Sequence, residues 1–443
     1  MKNVLVARVK NSNIVTVNWA KPCMAISTDE LSILPVAGVQ WGVSYAGIKT
    51  SGVVPQSVNT ETPKNDLALM ALVSGTVLSG VFTRNAFSAA PVKIAQNRMQ
   101  AIAQSSHQQP IYLLINSGNA NAGTGAAGYA AAEQSCESLA DVAACEASRV
   151  LPFSTGVIGQ LLPADCVSAA APALWQQLSA EGWSQAASAI MTTDTVPKGF
   201  SRTVVVDGAT ITLSGICKGA GMIRPDMATM LAYVATDADI AQTDLDALLQ
   251  GAVQCSFNRI TVDGDTSTND ACMLAATGLS KIALSPAHKD WAVFQAALND
   301  LFISLSTAII RDAEGATKFI TINVNGGLDD KECLQVAYTV AESPLVKTAF
   351  FASDANWGRI LAAVGRSGLN ELDVERVEIF LDDHLICECG GTAKSYSEQT
   401  AMAIMSQRDI TITINLQRGE INERVWTSDL SLDYVHINAD YRT

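Results

Sequence analysis

Between Cys217 and Leu231 the chain reads Cys-Lys-Gly-Ala-Gly-Met-Ile-Arg-Pro-Asp-Met-Ala-Thr-Met-Leu. The hydroxyl of Thr229 becomes a nucleophile if a base removes its proton, and a threonine's own α-amine serves as that base when the residue is N-terminal. An internal threonine gains such an amine only when the peptide bond before it is cut. Ala228 is small, so its carbonyl is open to the Thr229 hydroxyl; an N-to-O acyl shift followed by ester hydrolysis frees the amine. A glycine-rich turn running into a buried strand accounts for the same residues without any chemistry.

The elements around this stretch decide where it sits. Gly219, Gly221 and Pro225 disfavour a regular helix before Asp226. Met230 to Thr236 is an apolar run suited to a buried strand or the start of a buried helix. Ala228-Thr229 therefore stands where an irregular loop enters the core. Upstream, Ser201 to Leu213 reads as a hairpin turning at Asp207-Gly208 and delivers Lys218, eleven positions before Thr229.

Pro110 to Gly125 reads as a buried strand running into a small-residue loop, with an Ala-rich helix over 126–147. Thr124 and Gly125 then stand at a helix N-terminus, where unpaired N–H groups and the helix dipole favour a negative oxygen. An oxyanion hole needs that environment; a threonine-capped turn needs nothing more. Residues 130–190 read as mainly helical, ending in Thr192, whose hydroxyl suits a helix end as well as a ligand. Trp291 to Arg311 reads as a long helix, followed by Glu314 and a strand from Phe319. Glu314 can enter a cleft or pair with Arg311 or Lys318.

Other chemistries fit less well. The four histidines lie in no Gly-x-Ser-x-Gly or His-Glu-x-x-His context. Gly390 to Ser395 lacks P-loop spacing. Asp263 to Asp270 alternates carboxylates like a calcium loop, but the twelfth position is Leu274, so calcium is rejected.

The ordered run Lys-Gly-x-Gly-Met-Ile-x-Pro-x-Met-Ala-Thr-Met-Leu resembles the self-cleavage motif of the ornithine acetyltransferase (glutamate N-acetyltransferase) family of arginine biosynthesis. Resemblance continues from Ala46 to the C-terminus. It implies cleavage between Ala228 and Thr229, giving an α chain of 1–228 and a β chain of 229–443 that assemble as an α₂β₂ heterotetramer. It also implies an α/β layered sandwich of the DmpA/ornithine acetyltransferase type, N-terminal-nucleophile-like. Thr229 is then the nucleophile, and Thr124 and Gly125 the oxyanion hole. Thr192, Lys218, Glu314, Asn438 and the final Thr443 become substrate ligands alongside Thr229. The resemblance also implies that Asp263 to Asp270 lines the site and holds loops through side-chain-to-backbone bonds. The implied reaction moves the acetyl group of N²-acetylornithine to glutamate by a ping-pong route. An N-terminal-threonine amidase or aminopeptidase is the alternative. No cofactor or metal is implied, and acetyl-CoA stays open as a co-substrate. Gly123, Ala313 and Ala355 depart from the pattern, standing where cysteine, glycine and proline are expected.

Composition bounds the rest. At 443 residues, 48% hydrophobic and 16% charged, the chain suits two lobes with large buried volumes. A net charge of −14 repels phosphate backbones, so no nucleic-acid partner is expected. Ten cysteines lack metal-finger spacing and, with no secretory signal, read as reduced thiols of a cytoplasmic protein. No uninterrupted apolar run of about 18 residues occurs, so no membrane span is expected.

Overall fold

The computed structural model describes residues 31–51, 64–104, 109–224 and 230–440. At its centre lies a five-stranded sheet ordered Val77–Phe82, Ala271–Ala276, Leu231–Thr236, Ala209–Lys218, Lys198–Val206. Leu231–Thr236 runs antiparallel to Ala209–Lys218 and parallel to Ala271–Ala276. Its side chains alternate between two cores, as a pleated strand requires. Leu231, Tyr233 and Ala235 face one core, Ala232 and Val234 the other. The apolar run after the candidate cleavage loop is thus a strand buried on both faces.

A four-stranded sheet of Val39–Ser44, Leu67–Leu72, Ile111–Asn119 and Val150–Val157 packs on the first of these faces. Aromatic edges fill the interface: the rings of Trp41 and Phe153 stand 5.8 and 5.4 Å from that of Tyr233. The outer face of this sheet is covered by helices Gly125–Ala143 and Ala164–Gln176. Helices Gln242–Gln254 and Trp291–Arg311 cover the outer face of the five-stranded sheet. The layers run helix, sheet, sheet, helix, an α/β sandwich in which each apolar face meets another. Trp291–Arg311 has the length and composition to cross a membrane, although polar residues such as Asn299 and Asp300 interrupt its apolar run. Here it is a core helix, burying Phe294, Leu298, Phe302 and Ile309 against the sheet.

A seven-stranded sheet carries a separate core, in which Phe319–Gly327 lies between Asp409–Asn415 and Ile421–Ser428. This core draws on residues from Ile320 onward, while Phe319 and Trp426 pack into the core of the first lobe. Segment 1–228 supplies Val77–Phe82, Lys198–Val206 and Ala209–Lys218 to the five-stranded sheet, and segment 229–443 supplies Leu231–Thr236 and Ala271–Ala276. The hairpin turns at Asp207 (φ 49°) and Gly208 (φ 82°) as expected.

Strand Val150–Val157 interrupts the stretch expected to be helical. It is an edge strand, a position that tolerates the missing N–H of Pro152. Cys387 is buried in strand His384–Glu388, and Cys389 follows the strand end, exposed, at φ 47°.

Candidate active site

Thr192, Lys218, Glu314 and Asn438 line one cleft of ≈ 230 Å³. Four segments far apart in sequence bring them there: a loop after helix Trp183–Ala189, a strand end, a helix-to-strand connection and helix Leu432–Asp440. Ile223 and Met230, which bracket residues 225–229, line the same cleft. Ala228, Thr229 and Thr443 lie outside the described residues. Thr124 and Gly125 open a neighbouring recess with Phe87, Lys93 and Tyr129. The connecting loop contributes Ala120 to the cleft itself. Gly125 begins helix Gly125–Ala143 at φ 58°. The Thr124 hydroxyl donates to Asn121 Oδ1 at 2.9 Å rather than capping the helix.

Lys218 ends its strand half-buried and donates from Nζ to Thr155 Oγ1 at 3.0 Å. Burial pulls its ammonium below the ordinary lysine range, and nearby Asp194 pulls it back in part. Thr155 carries no sequence signal of this contact, since it lies on a strand within a stretch that reads as helical.

A buried charge cluster sits behind Lys218. The ammonium of Lys198, fully buried, reaches Asp194 Oδ1 at 2.7 Å and Asp312 Oδ2 at 2.5 Å. The carboxylate of Asp194 also accepts the backbone N–H groups of Gly219 at 2.6 Å and Thr192 at 3.0 Å. Asp312 accepts the N–H of Thr195 at 3.0 Å and its hydroxyl. Burial opposes the charge on Asp194, but the ammonium groups of Lys198 and Lys218 and these hydrogen bonds hold its carboxyl well below the usual range. For Lys198 burial is likewise outweighed, by Asp194 and Asp312, and its pKa is raised.

Glu314 lines the same cleft. Its N–H donates to Ala220 O at 3.0 Å, and Oε2 accepts from Asn438 Nδ2 at 2.8 Å. The carboxylate lies so close to Gly221 that a Cβ there would fall 2.4 Å from Oε2. Helix Leu432–Asp440 approaches the backbone at Gly315 (φ 64°), where a Cβ would meet Tyr434 N at 2.5 Å. The Tyr434 hydroxyl donates to Asp263 Oδ2 at 3.2 Å.

Asp263 also accepts the N–H groups of Met222 and Ile223 at 2.7 and 2.9 Å. Thr266 Oγ1 donates to Arg224 O at 3.1 Å, and Asn269 Nδ2 to Ala120 O at 2.6 Å and Ser154 O at 2.9 Å. The polar run 263–270 thus holds loops through side-chain-to-backbone bonds, as the resemblance implies. Arg224 itself stacks 4.4 Å over Tyr338 and pairs with Glu342 at 2.8 Å, anchoring the loop's first flank on the second lobe.

A layered α/β frame with a cleft of opposed lysine and carboxylate groups at its strand ends defines a class, an enzyme for small charged substrates. The ArgJ family model matches residues 50–443. An arginine biosynthesis bifunctional protein ArgJ from Pseudomonas syringae pv. tomato is 49% identical over 423 residues, covering 95% of this chain and 100% of the relative. One of the same name from Pseudomonas fluorescens is 50% identical over 425 residues, with 95% and 100% covered. Among solved structures, the ArgJ protein of Bacillus halodurans is 41% identical with a TM-score of 0.44, covering 46% of this chain and 96% of that one. The ornithine acetyltransferase of Mycobacterium tuberculosis complexed with ornithine is 33% identical with a TM-score of 0.37, covering 44% and 93%. The chain belongs to the ArgJ family: it is an acyltransferase of arginine biosynthesis.

Proposed function

We propose that the chain transfers the acetyl group of N²-acetylornithine to glutamate through an acetyl-threonine at Thr229, after the peptide bond between Ala228 and Thr229 has been cut. The observation that carries this reading is the convergence of Thr192, Lys218, Glu314 and Asn438 on a cleft that both flanks of 225–229 also line. A lysine facing a carboxylate suits an amino-acid derivative: the ammonium of Lys218 takes a carboxylate and Glu314 takes an ammonium.

The Thr229 hydroxyl oxygen attacks the acetyl carbonyl carbon, and its proton passes to the residue's own α-amine. The carbonyl oxygen gains negative charge, to be met by the N–H groups at Thr124 and Gly125. For that step the Thr124 loop and the nucleophile must share one space. The carbon–nitrogen bond then breaks, the proton goes to the leaving amine, and ornithine departs. The amine of glutamate attacks the ester carbon by the same route in reverse, giving N-acetylglutamate and the free threonine. No cofactor is needed. The same reading has segments 1–228 and 229–443 remain joined through their shared sheet and pair into an α₂β₂ heterotetramer in the cytoplasm.

Protein incubated with acetyl-labelled N²-acetylornithine and glutamate should yield labelled N-acetylglutamate. Release of labelled acetate with no labelled N-acetylglutamate would overturn the transferase reading in favour of an amidase. Acetyl-CoA in place of N²-acetylornithine shows whether a second donor is accepted.

A further inference from the structure

We propose that Asp194 is a positioning residue of this site: clamped by Lys198, its carboxylate sets Thr192 and the Lys218–Gly219 strand end in one register and supplies the counter-charge to Lys218. The inference rests on the acetyl-transfer reading. One oxygen of Asp194 takes Lys198 Nζ at 2.7 Å and Gly219 N–H at 2.6 Å, and the other takes Thr192 N–H at 3.0 Å. Two expected substrate contacts from different segments are therefore hung on a single buried carboxylate. A hydrophobic isostere of the pair would fill the same volume and lose both functions.

Five charged groups act on Lys218. Asp194, Asp270 and Glu314 favour its protonated form, with Asp194 the strongest of the three, and Lys198 disfavours it. Lys49, on the short helix Ile48–Ser51, is coupled to it as a second like charge. With burial already working against the ammonium, removing the charge of Asp194 makes Lys218 lose its proton at lower pH. A substrate carboxylate then loses its partner at that lower pH as well.

The test compares wild-type protein with Asp194→Asn, Asp194→Asn/Lys198→Met and Asp312→Asn in acetyl transfer from N²-acetylornithine to glutamate, from pH 6 to 10 in roughly half-unit steps. In Asp194→Asn the alkaline limb of kcat/KM should move to lower pH by about one unit, with KM for the donor up roughly tenfold. Asp194→Asn alone leaves a buried ammonium with one partner fewer and loses stability. The double variant also takes the cation from Asp312 and a like charge from the surroundings of Lys218, so its Tm should stay low while its limb returns part of the way towards wild type. Asp312→Asn, which touches Lys198 but neither Gly219 nor Thr192, should lower Tm and leave the limb in place. Folded Asp194→Asn with a wild-type limb and KM would overturn the inference, as would an equal displacement in Asp312→Asn. Failure of the wild type to transfer acetyl would instead overturn the reading beneath it.

Discussion

The two walls of the cleft are held by different physics. The wall carrying Thr192 and Lys218 hangs on buried charges: Asp194 and Lys198 show no side-chain exposure, and Asp312 shows 6%. The wall carrying Asn438 is a nine-residue helix with no buried residue. That helix is tied down by the Tyr434 and Asn438 hydrogen bonds and by close approach at Gly315. Its root is firmer: Lys347 Nζ donates to Thr427 Oγ1 at 2.9 Å and to Ser428 O, while Asp429 accepts the N–H groups of Thr317 and Lys318 at 2.8 and 2.9 Å. Buried ion pairs penalise the loss of one partner heavily, whereas exposed hydrogen bonds contribute little each. One wall is therefore a fixed template, and the other a latch on a fixed hinge.

Lys198→Ala should have the largest effect. It leaves Asp194 and Asp312 buried without their cation and should cost about 3–5 kcal/mol of unfolding free energy, read by denaturant titration. A loss below about 1 kcal/mol, the range of an exposed pair, would show that this wall is not a buried-charge template.

Gly315→Ala attacks the latch. It adds a Cβ 2.5 Å from Tyr434 N at a residue with φ 64°, a strain of order 1–3 kcal/mol. The helix should lift, giving faster proteolysis within 432–440 and a higher KM. Unchanged proteolysis would place the helix's hold elsewhere.

Lys347 sharpens the hinge through pH. Burial brings its pKa from 10.5 down to about 8. Between those values the unfolded chain binds the proton that the folded chain has released, so this residue's contribution to stability rises with pH. Relative to Lys347→Met, the wild type should gain about 1–2 kcal/mol across that window. A flat difference would mean that the ammonium keeps its charge in the fold.

Tyr434→Phe should do least. It removes one hydrogen bond to Asp263, worth about 0.5–1 kcal/mol, and should lower Tm by no more than a few degrees. The donor KM should rise less than in Gly315→Ala; a larger rise would make Tyr434 the main tie of the latch.

The local elements were legible where one period dominated. Trp291–Arg311 shows helical spacing, and the hairpin declares itself at Asp207-Gly208. Val150–Val157 was hidden because its first six residues are buried on both faces and Pro152 argues against a strand, and Thr155 was lost with it. Candidate ligands Thr192, Lys218, Glu314 and Asn438 came from motif resemblance, and the structure brings these together. What holds them was not legible: Lys198 and Asp312 are 114 positions apart, Asn438 and Glu314 124. Local pattern carries no information about such pairs. A fully buried lysine also looks in sequence like any surface charge until its two carboxylates are placed around it.

Intact-mass analysis of the protein before and after incubation with N²-acetylornithine alone, followed by fragment mapping, tests the central chemistry most directly. The expected result is two fragments, 1–228 and 229–443, with the second gaining the mass of one acetyl group on Thr229 and losing it when glutamate is added. An unbroken chain that still transfers acetyl, or an acetyl group carried on another residue, would contradict a threonine nucleophile activated by its own amine.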